Sequence, residues 1–486
     1  MTAATEVRHS TRSGAIGLTG AAVNGAFGFV LTTVVLRMFG ADGSGALFSV
    51  IALVTIAAAV CCLGADTALL WALPRRPGAL GRLLPVALLP VLVSSLVIAV
   101  AGVLAAEPVG RVLLDDPAST TLVRLAFAGV PVIVVSTVLL AVVRATRPAG
   151  TYVVVQLVFV PVARPVLMIG TVALGGGVLL GFAGWLLPPA LAALIAVALI
   201  AGPVHRPEPA DWRSFWSFAL PRAASMAIDS SSMWVGVLLT SALAGQTEAG
   251  VFAAVGRYAL AGLLVMQGLR VAVAPHLSRL LGADRRAEAA EVYRRTTLAI
   301  IVLSWPAYLL LAVFARAFLA VFGSDFGGGA VPLAVLAVAM LVNVGVGLVQ
   351  TVLLMSGNSR RHLVATVAGL ALNLLAAVLL IPAYGALGAA IAWSLGIVAE
   401  NVLAAVFARR ALGEPLFSAV LLRVTGAVVA ATGLAAAIGV LVAGRGPAGL
   451  AVTLVVVAVG CLAALAIPTT RARLGRIVRS IRKETP

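Results

Sequence analysis

Six ionisable side chains stand inside long apolar stretches of this chain: Asp66, Arg164, Asp229, Arg257, Arg270 and Glu400. At membrane depth each costs several kcal/mol unless it is paired or hydrated, so such residues mark ion pairs, proton relays or substrate paths. Arginines hold phosphate through bidentate, charge-assisted bonds, and neighbouring carboxylates keep the empty site charge-balanced. Arg164, Arg257 and Arg270 are therefore the phosphate candidates, with Asn24 as a polar partner. Asp66, Asp229 and Glu400 take the charge-balancing role, or couple movement to protons or cations. The competing reading makes these groups structural ion pairs, interhelical hydrogen bonds or side chains that snorkel to an interface.

No Walker A loop, nucleophile elbow or metal-spaced His/Cys cluster accompanies them. Cys61, Cys62 and Cys461 lie in apolar spans and form neither a disulfide framework nor a metal motif. With four histidines and few carboxylates at depth, the chain is expected not to be an enzyme and to carry no cofactor. Energy would come from a proton or sodium gradient, or from the membrane potential.

The elements that position these residues follow from composition. At 62% hydrophobic and 10% charged residues, no soluble surface can be built on 486 residues, so the chain is an all-α polytopic membrane protein. About fourteen apolar spans are long enough to cross roughly 30 Å of hydrocarbon. A net charge of +17 would suggest nucleic acid in a soluble protein, but the basic residues fall in short loops and the tail. They read as topological charge, and no nucleic-acid partner is expected.

With a cytoplasmic N-terminus, Arg75, Arg76, Arg82, Arg144, Arg147, Arg206, Arg213, Arg285 and Arg286 all share that face. The opposite loops hold Asp42, Glu107, Glu248 and Asp325, with Arg111 and Arg445 as exceptions. Both termini are thus expected to be cytoplasmic. The polar N-terminus leads into a full-length apolar span without a small-residue cleavage site, which reads as a retained first helix.

One hairpin, Arg360 to Arg410, shows the pattern most plainly. Two apolar spans meet at Pro382-Ala-Tyr-Gly385, with an arginine pair at each outer end. Pro161, Pro165 and Pro188-Pro189 are expected to kink their spans. Asn343 and Gln350, seven apart, suit interhelical hydrogen bonds. Asp211 to Phe218 reads as an interfacial helix, and the basic tail Arg471 to Lys483 as an amphipathic helix on anionic lipid or a stop-transfer cluster.

A shift of about 205 to 210 residues superimposes features of the two halves, as in transporters built from parallel repeats. Gly40 to Phe48 falls over Gly245 to Phe252, and Leu180 to Trp185 over Leu387 to Trp393. The shift also lays Asn24 over Asp229 and brings Asp66 within one residue of Arg270. The expected organisation is a six-helix lobe at 14–202, a second at 212–410, an extra helix pair at 418–468 and a basic tail at 469–486. The substrate path would run between the lobes.

The succession Leu380-Ile-Pro-Ala-Tyr-Gly-Ala-Leu-Gly-Ala-Ala-Ile-Ala-Trp393, preceded by Asn373-Leu-Leu, has a further meaning. Together with Val321 to Phe326, Gly250 to Arg257 and Leu63-Gly-Ala-Asp66, it resembles the polysaccharide-biosynthesis or oligosaccharide flippase family. That family shares a superfamily with multidrug and toxin extrusion antiporters and lipid II flippases. The resemblance implies two six-helix lobes around a central cavity, and alternating-access movement of a polyprenyl-pyrophosphate-linked glycan across the cytoplasmic membrane. It implies membrane lipids, a glycan polymerase and glycosyltransferases as partners. A drug or cation antiporter, a lipid II flippase and a non-transport assembly subunit stay open. The near absence of charge in the first span argues against the lipid II role.

Overall fold

The computed structural model describes residues 3–76, 78–114, 120–200, 203 and 205–466, with the side chains of 3–18, 149, 221–222, 224–233, 271–272, 461 and 463–466 left aside. The basic tail and the side chain of Asp229 fall outside that set. The described residues are helical and contain no strand. In chain order the helices are α1 (Ala3–Cys61), α2 (Ala65–Ala72), α3 (Leu80–Leu104), α4 (Ala106–Leu114), α5 (Thr120–Thr146), α6 (Ala149–Tyr152), α7 (Val160–Ala173), α8 (Val178–Ile200) and α9 (Pro209–Ala244). They continue as α10 (Gln246–Ala261), α11 (Leu263–Gly282), α12 (Arg286–Val313), α13 (Ala315–Leu319), α14 (Ala330–Gly345), α15 (Val349–Met355), α16 (Ser359–Leu412), α17 (Ala419–Ala443) and α18 (Pro447–Ala466).

Nine helices among the described residues are long and apolar enough to cross a membrane, or ten if the broken pair Gln246–Ala261 and Leu263–Arg270 is one span. Two of the nine exceed a single crossing. At 1.5 Å per residue the 54 residues of α16 would extend roughly 80 Å, against about 30 Å of hydrocarbon. Gly385 resolves this: its φ of 53° and ψ of −129° break the helix inside the Pro382–Gly385 turn. Gly40, at φ 66°, breaks α1 in the same way. A side chain is disfavoured at such φ values, so glycine holds both corners.

Two compact units emerge. The first comprises 1–261, 322–332 and 363–400; the second 262–321, 333–362 and 401–486. In the first, the loop side carrying few arginines is tightly joined. A Cβ on Gly45 would overlap the carbonyl of Gln246, and one on Gly250 that of Ala41, so α1 and α10 touch backbone to backbone. Ser241 donates to the Leu113 carbonyl at 2.5 Å, and the Gln246 amide to that of Leu114. Glu248 accepts from the Ala386 amide at 2.7 Å, capping the second limb of α16 where Gly385 turns the chain. Arg111, an exception to the charge alternation, pairs with Glu107 one turn earlier.

On the arginine-rich side, α9 starts at Pro209 with a reciprocal capping box between Glu208 and Asp211. The same carboxylates pair with Arg82 and Arg76, tying the start of α3 to the segment that links the expected halves. The stretch Asp211 to Phe218 is the first part of α9 rather than a separate interfacial helix.

Within the second unit the chain breaks again between α14 and α15. Tyr293, fully buried on α12, donates to the Val346 carbonyl at 2.5 Å and so satisfies the break. Asn343 accepts from Asn401 at 3.0 Å, the interhelical bond its position suggests.

Two outcomes test this packing. Gly45→Ala lowers stability by about 1–3 kcal/mol through overpacking, while Gly28→Ala, which meets nothing within 4 Å, leaves the apparent Tm in detergent unchanged or raised. Equal Tm values for the two variants would contradict the α1–α10 contact. Glu248→Ala strands the Ala386 amide and costs about 0.5–2 kcal/mol, whereas Glu248→Gln, which keeps an acceptor, retains most of the stability.

Candidate functional site

Asp66 owes its place to a break. Leu63 and Gly64 both take positive φ, 49° and 72°, ending α1 and restarting the chain as α2. Gly64 is required twice, because a Cβ there would lie 2.5 Å from the Ala219 carbonyl of α9. The break leaves few orphans: the Ala65 amide reaches the Cys62 carbonyl at 2.8 Å, and Ser94 of α3 donates to the Cys61 carbonyl at 3.0 Å. Asp66 falls in the first turn of α2, where the helix dipole favours a negative charge.

Arg164 is placed by prolines. In an α-helix the ring of Pro161 would clash with the carbonyl of Leu157, four residues back. Residues Val153–Phe159 instead form a π-helical turn, in which the Val160 amide bonds to the Val155 carbonyl five residues back. The kink expected at Pro161 and Pro165 is thus a widened turn, whereas α8 runs through Pro188-Pro189 without a break. Beyond the turn, Arg164 lies 4.3 Å over the ring of Trp185 and donates Nε to that residue's carbonyl at 3.3 Å.

Asp66 and Arg164 line one cavity of about 150 Å³, together with Arg144, Tyr152 and Gln156. Arg144 is exposed at the arginine-rich end and lies 5.3 Å over the Tyr152 ring, while Asp66 and Arg164 are half-buried further in. The aromatic faces hold both guanidiniums in place and leave most of their N–H donors free for a ligand.

Arg257, half-buried on α10, stands 5.9 Å over the Trp234 ring. Among the described residues, no carboxylate comes within ion-pair distance of Arg144, Arg164 or Arg257, nor any arginine of Asp66. The structural ion pairs that the sequence left open for Asp66, Arg164 and Arg257 are therefore not formed among those residues.

The remaining candidates sit elsewhere. Asn24 is exposed on α1 and Arg270 exposed on α11 of the second unit. Glu400 accepts from Thr366 at 2.9 Å across the α16 hairpin, whose limbs meet at Gly369 and Gly396, so it has a packing role. Sequence reasoning missed Tyr152 and Gln156 and assigned Arg144 to topology alone. The spacing of four from Tyr152 through Gln156 to Arg164 was the available signal. The ring partners Trp185 and Trp234, 21 and 23 residues from their arginines, left none.

Residues 221–379, about a third of the chain, match the MatE family model. No curated protein matches the sequence. Among solved structures, the lipid II flippase MurJ in an inward closed conformation superimposes with a TM-score of 0.72 at 11% identity, covering 91% of this chain and 97% of its own. An inward-facing multidrug resistance MATE family transporter of the MOP superfamily gives 0.65 at 17% identity, with 79% and 94% covered. A MOP superfamily transporter from Pyrococcus furiosus, whose binding pocket of reverse polarity suggests a different function, gives 0.61 at 16%, with 84% and 97% covered. This chain therefore has the fold shared by MATE transporters and the lipid II flippase, and carries a MatE-type segment within it.

Proposed function

We propose that the chain is a flippase that carries a polyprenyl-pyrophosphate-linked oligosaccharide across the cytoplasmic membrane by alternating access, for assembly of a surface polysaccharide or related glycan. The observation that carries this reading is the pair Arg164 and Arg257. Two half-buried guanidiniums in apolar helices, each over a tryptophan ring and without a carboxylate partner among the described residues, lack a counter-charge and are poorly hydrated. An anion relieves both costs; a cation adds to them. Diphosphate supplies the anion, and the lipid-linked cargo named for one structural neighbour supports a lipid carrier. Glycosyltransferases would make the substrate and a glycan polymerase would receive it.

A second reading, a multidrug or cation antiporter, rests on Asp66. It is a half-buried carboxylate on a cavity wall with no arginine in ion-pair distance among the described residues, which suits proton or cation coupling. Several structural neighbours are multidrug transporters.

Reconstitution in proteoliposomes separates these readings. The flippase reading expects transfer of a lipid-linked oligosaccharide between leaflets and no gradient-driven efflux of cationic dye. The reverse result makes the chain an antiporter, and transfer of lipid II alone makes it a peptidoglycan-precursor flippase. Arg164→Gln and Arg257→Gln each lower glycan transfer about ten- to a hundredfold, the loss of one charge-assisted bond, with the protein still monodisperse in detergent. Arg270→Ala is the companion variant: full transfer at matched protein levels removes Arg270 from the substrate path.

A further inference from the structure

We infer that the cavity walled by α2, α5, the π-turn and α7 is a seat for a single phosphate group, and that Asp66 is the counter-charge which that group must overcome to enter. The inference deepens the anionic-substrate reading and rests on it for the source of the phosphate, whereas the seat itself is argued from the residues around it.

Size comes first. About 150 Å³ is half the lower limit of pockets that enclose a drug-sized ligand, so no glycan chain fits. A small charged group does.

Charge comes second. Arg144 and Arg164 bring two formal positive charges to the cavity and Asp66 one negative charge. The empty cavity is net cationic by one, a poor place for a cation and a good one for an anion. Both arginines are braced by ring faces, Tyr152 beneath Arg144 and Trp185 beneath Arg164, which spares the cost of ordering them when a ligand arrives.

Shape comes third. Tyr152, Gln156, Val160 and Arg164 all line the cavity at intervals of four. On a regular α-helix each interval of four turns the side chain about 40° further round, so Tyr152 and Arg164 would diverge by about 120°. The π-helical turn takes more residues per revolution and reduces that drift, keeping the phenol, the amide and the guanidinium on one stripe. Gln156 contributes neutral N–H donors between the two charged ends. The widened turn that Pro161 forces is thus what assembles the seat.

The lining also sets a path. Arg144 is exposed and Arg164 half-buried, so a phosphate arriving from solvent meets Arg144 before Arg164, with Asp66 on the wall of the same cavity. Asp66 repels it throughout. An anion therefore binds more weakly than the arginines alone would allow, which favours release over retention in a protein that has to let its cargo go.

The test is equilibrium binding of radiolabelled inorganic pyrophosphate to the full-length protein in nanodiscs of uncharged net lipid composition, with geranyl pyrophosphate as competitor. The seat predicts saturable binding, tightened roughly tenfold by Asp66→Asn, which removes the repelling charge, and weakened roughly tenfold by Gln156→Leu. Attraction to arginine-rich loops would be indifferent to both changes, and such indifference overturns the inference. So does weaker binding in Asp66→Asn at an unchanged Tm. Geranyl pyrophosphate displacing the label more tightly than pyrophosphate assigns the seat to a lipid headgroup; equal displacement assigns it to phosphate as such, and either supports it. Failure here is separable from failure of the flippase reading. Glycan transfer without pyrophosphate binding removes the seat alone, and binding without transfer removes the flippase alone.

Discussion

Hydrocarbon offers neither backbone amides nor ionised side chains a partner, so every departure from helix and every charge at depth has to be answered from within the protein. The breaks show how strictly this holds. Where α1 ends at Leu63–Gly64, Ser94 reaches the freed Cys61 carbonyl. Where α14 ends, Tyr293 reaches Val346. Where α16 turns at Gly385, Glu248 caps the next amide. Each of these three breaks is paired with one polar side chain from a different helix. The exceptions are Arg144, Arg164 and Arg257, which are met by aromatic faces and by no carboxylate among the described residues. A ring face steadies a guanidinium but does not neutralise it. Those three arginines are left without an opposite charge in ion-pair distance among the described residues.

Much of the fold was legible because the membrane imposes simple rules on sequence. Apolar length marks the helices, nine of which among the described residues are long enough to span. Pro382-Ala-Tyr-Gly385 announced a turn that the structure forms at Gly385. The two limbs of the same hairpin are joined by a hydrogen bond from Thr366 to Glu400, which gives Glu400 a packing role. Leu63-Gly-Ala-Asp66 was visible as a motif, but its reason was not. Only the approach of α9 to Gly64 shows why the chain breaks there and what brings Asp66 into a helix start.

The site was less legible because its parts come from distant stretches. Periodicity finds residues on one face of one helix. It does not find that Arg164 will lie over Trp185, or that α2, α5 and α7 will share a hollow. Prolines gave a partial clue. A kink is the natural expectation from Pro161 and Pro165, and the local form the chain takes before them is a π-helical turn, which the prolines alone do not specify. Arg144 was hidden by its own rule: an arginine in a loop satisfies the topology, so nothing in the sequence marks it as doing more.

The charge balance of the first unit bears on which cargo the fold is built for. Arg144, Arg164 and Arg257 carry three formal positive charges and Asp66 carries one negative, which leaves two positive charges close to a low-dielectric interior. A pyrophosphate esterified at both ends carries two negative charges. Bound there it would bring the cluster to neutrality, and leaving would restore the excess. A monovalent cation would raise the excess to three, and a proton on Asp66 would do the same. On the flippase reading the empty carrier would therefore be the strained state and the loaded one the relaxed state. A flippase must cross the membrane loaded and return empty, so on this reading the uncompensated arginines assign the electrostatic penalty to the return step. On the same reading the two charges would respond to the membrane potential while the site is empty and be cancelled while it is full. An imbalance that would be a defect in a structural protein becomes, in a carrier, the difference between its two journeys.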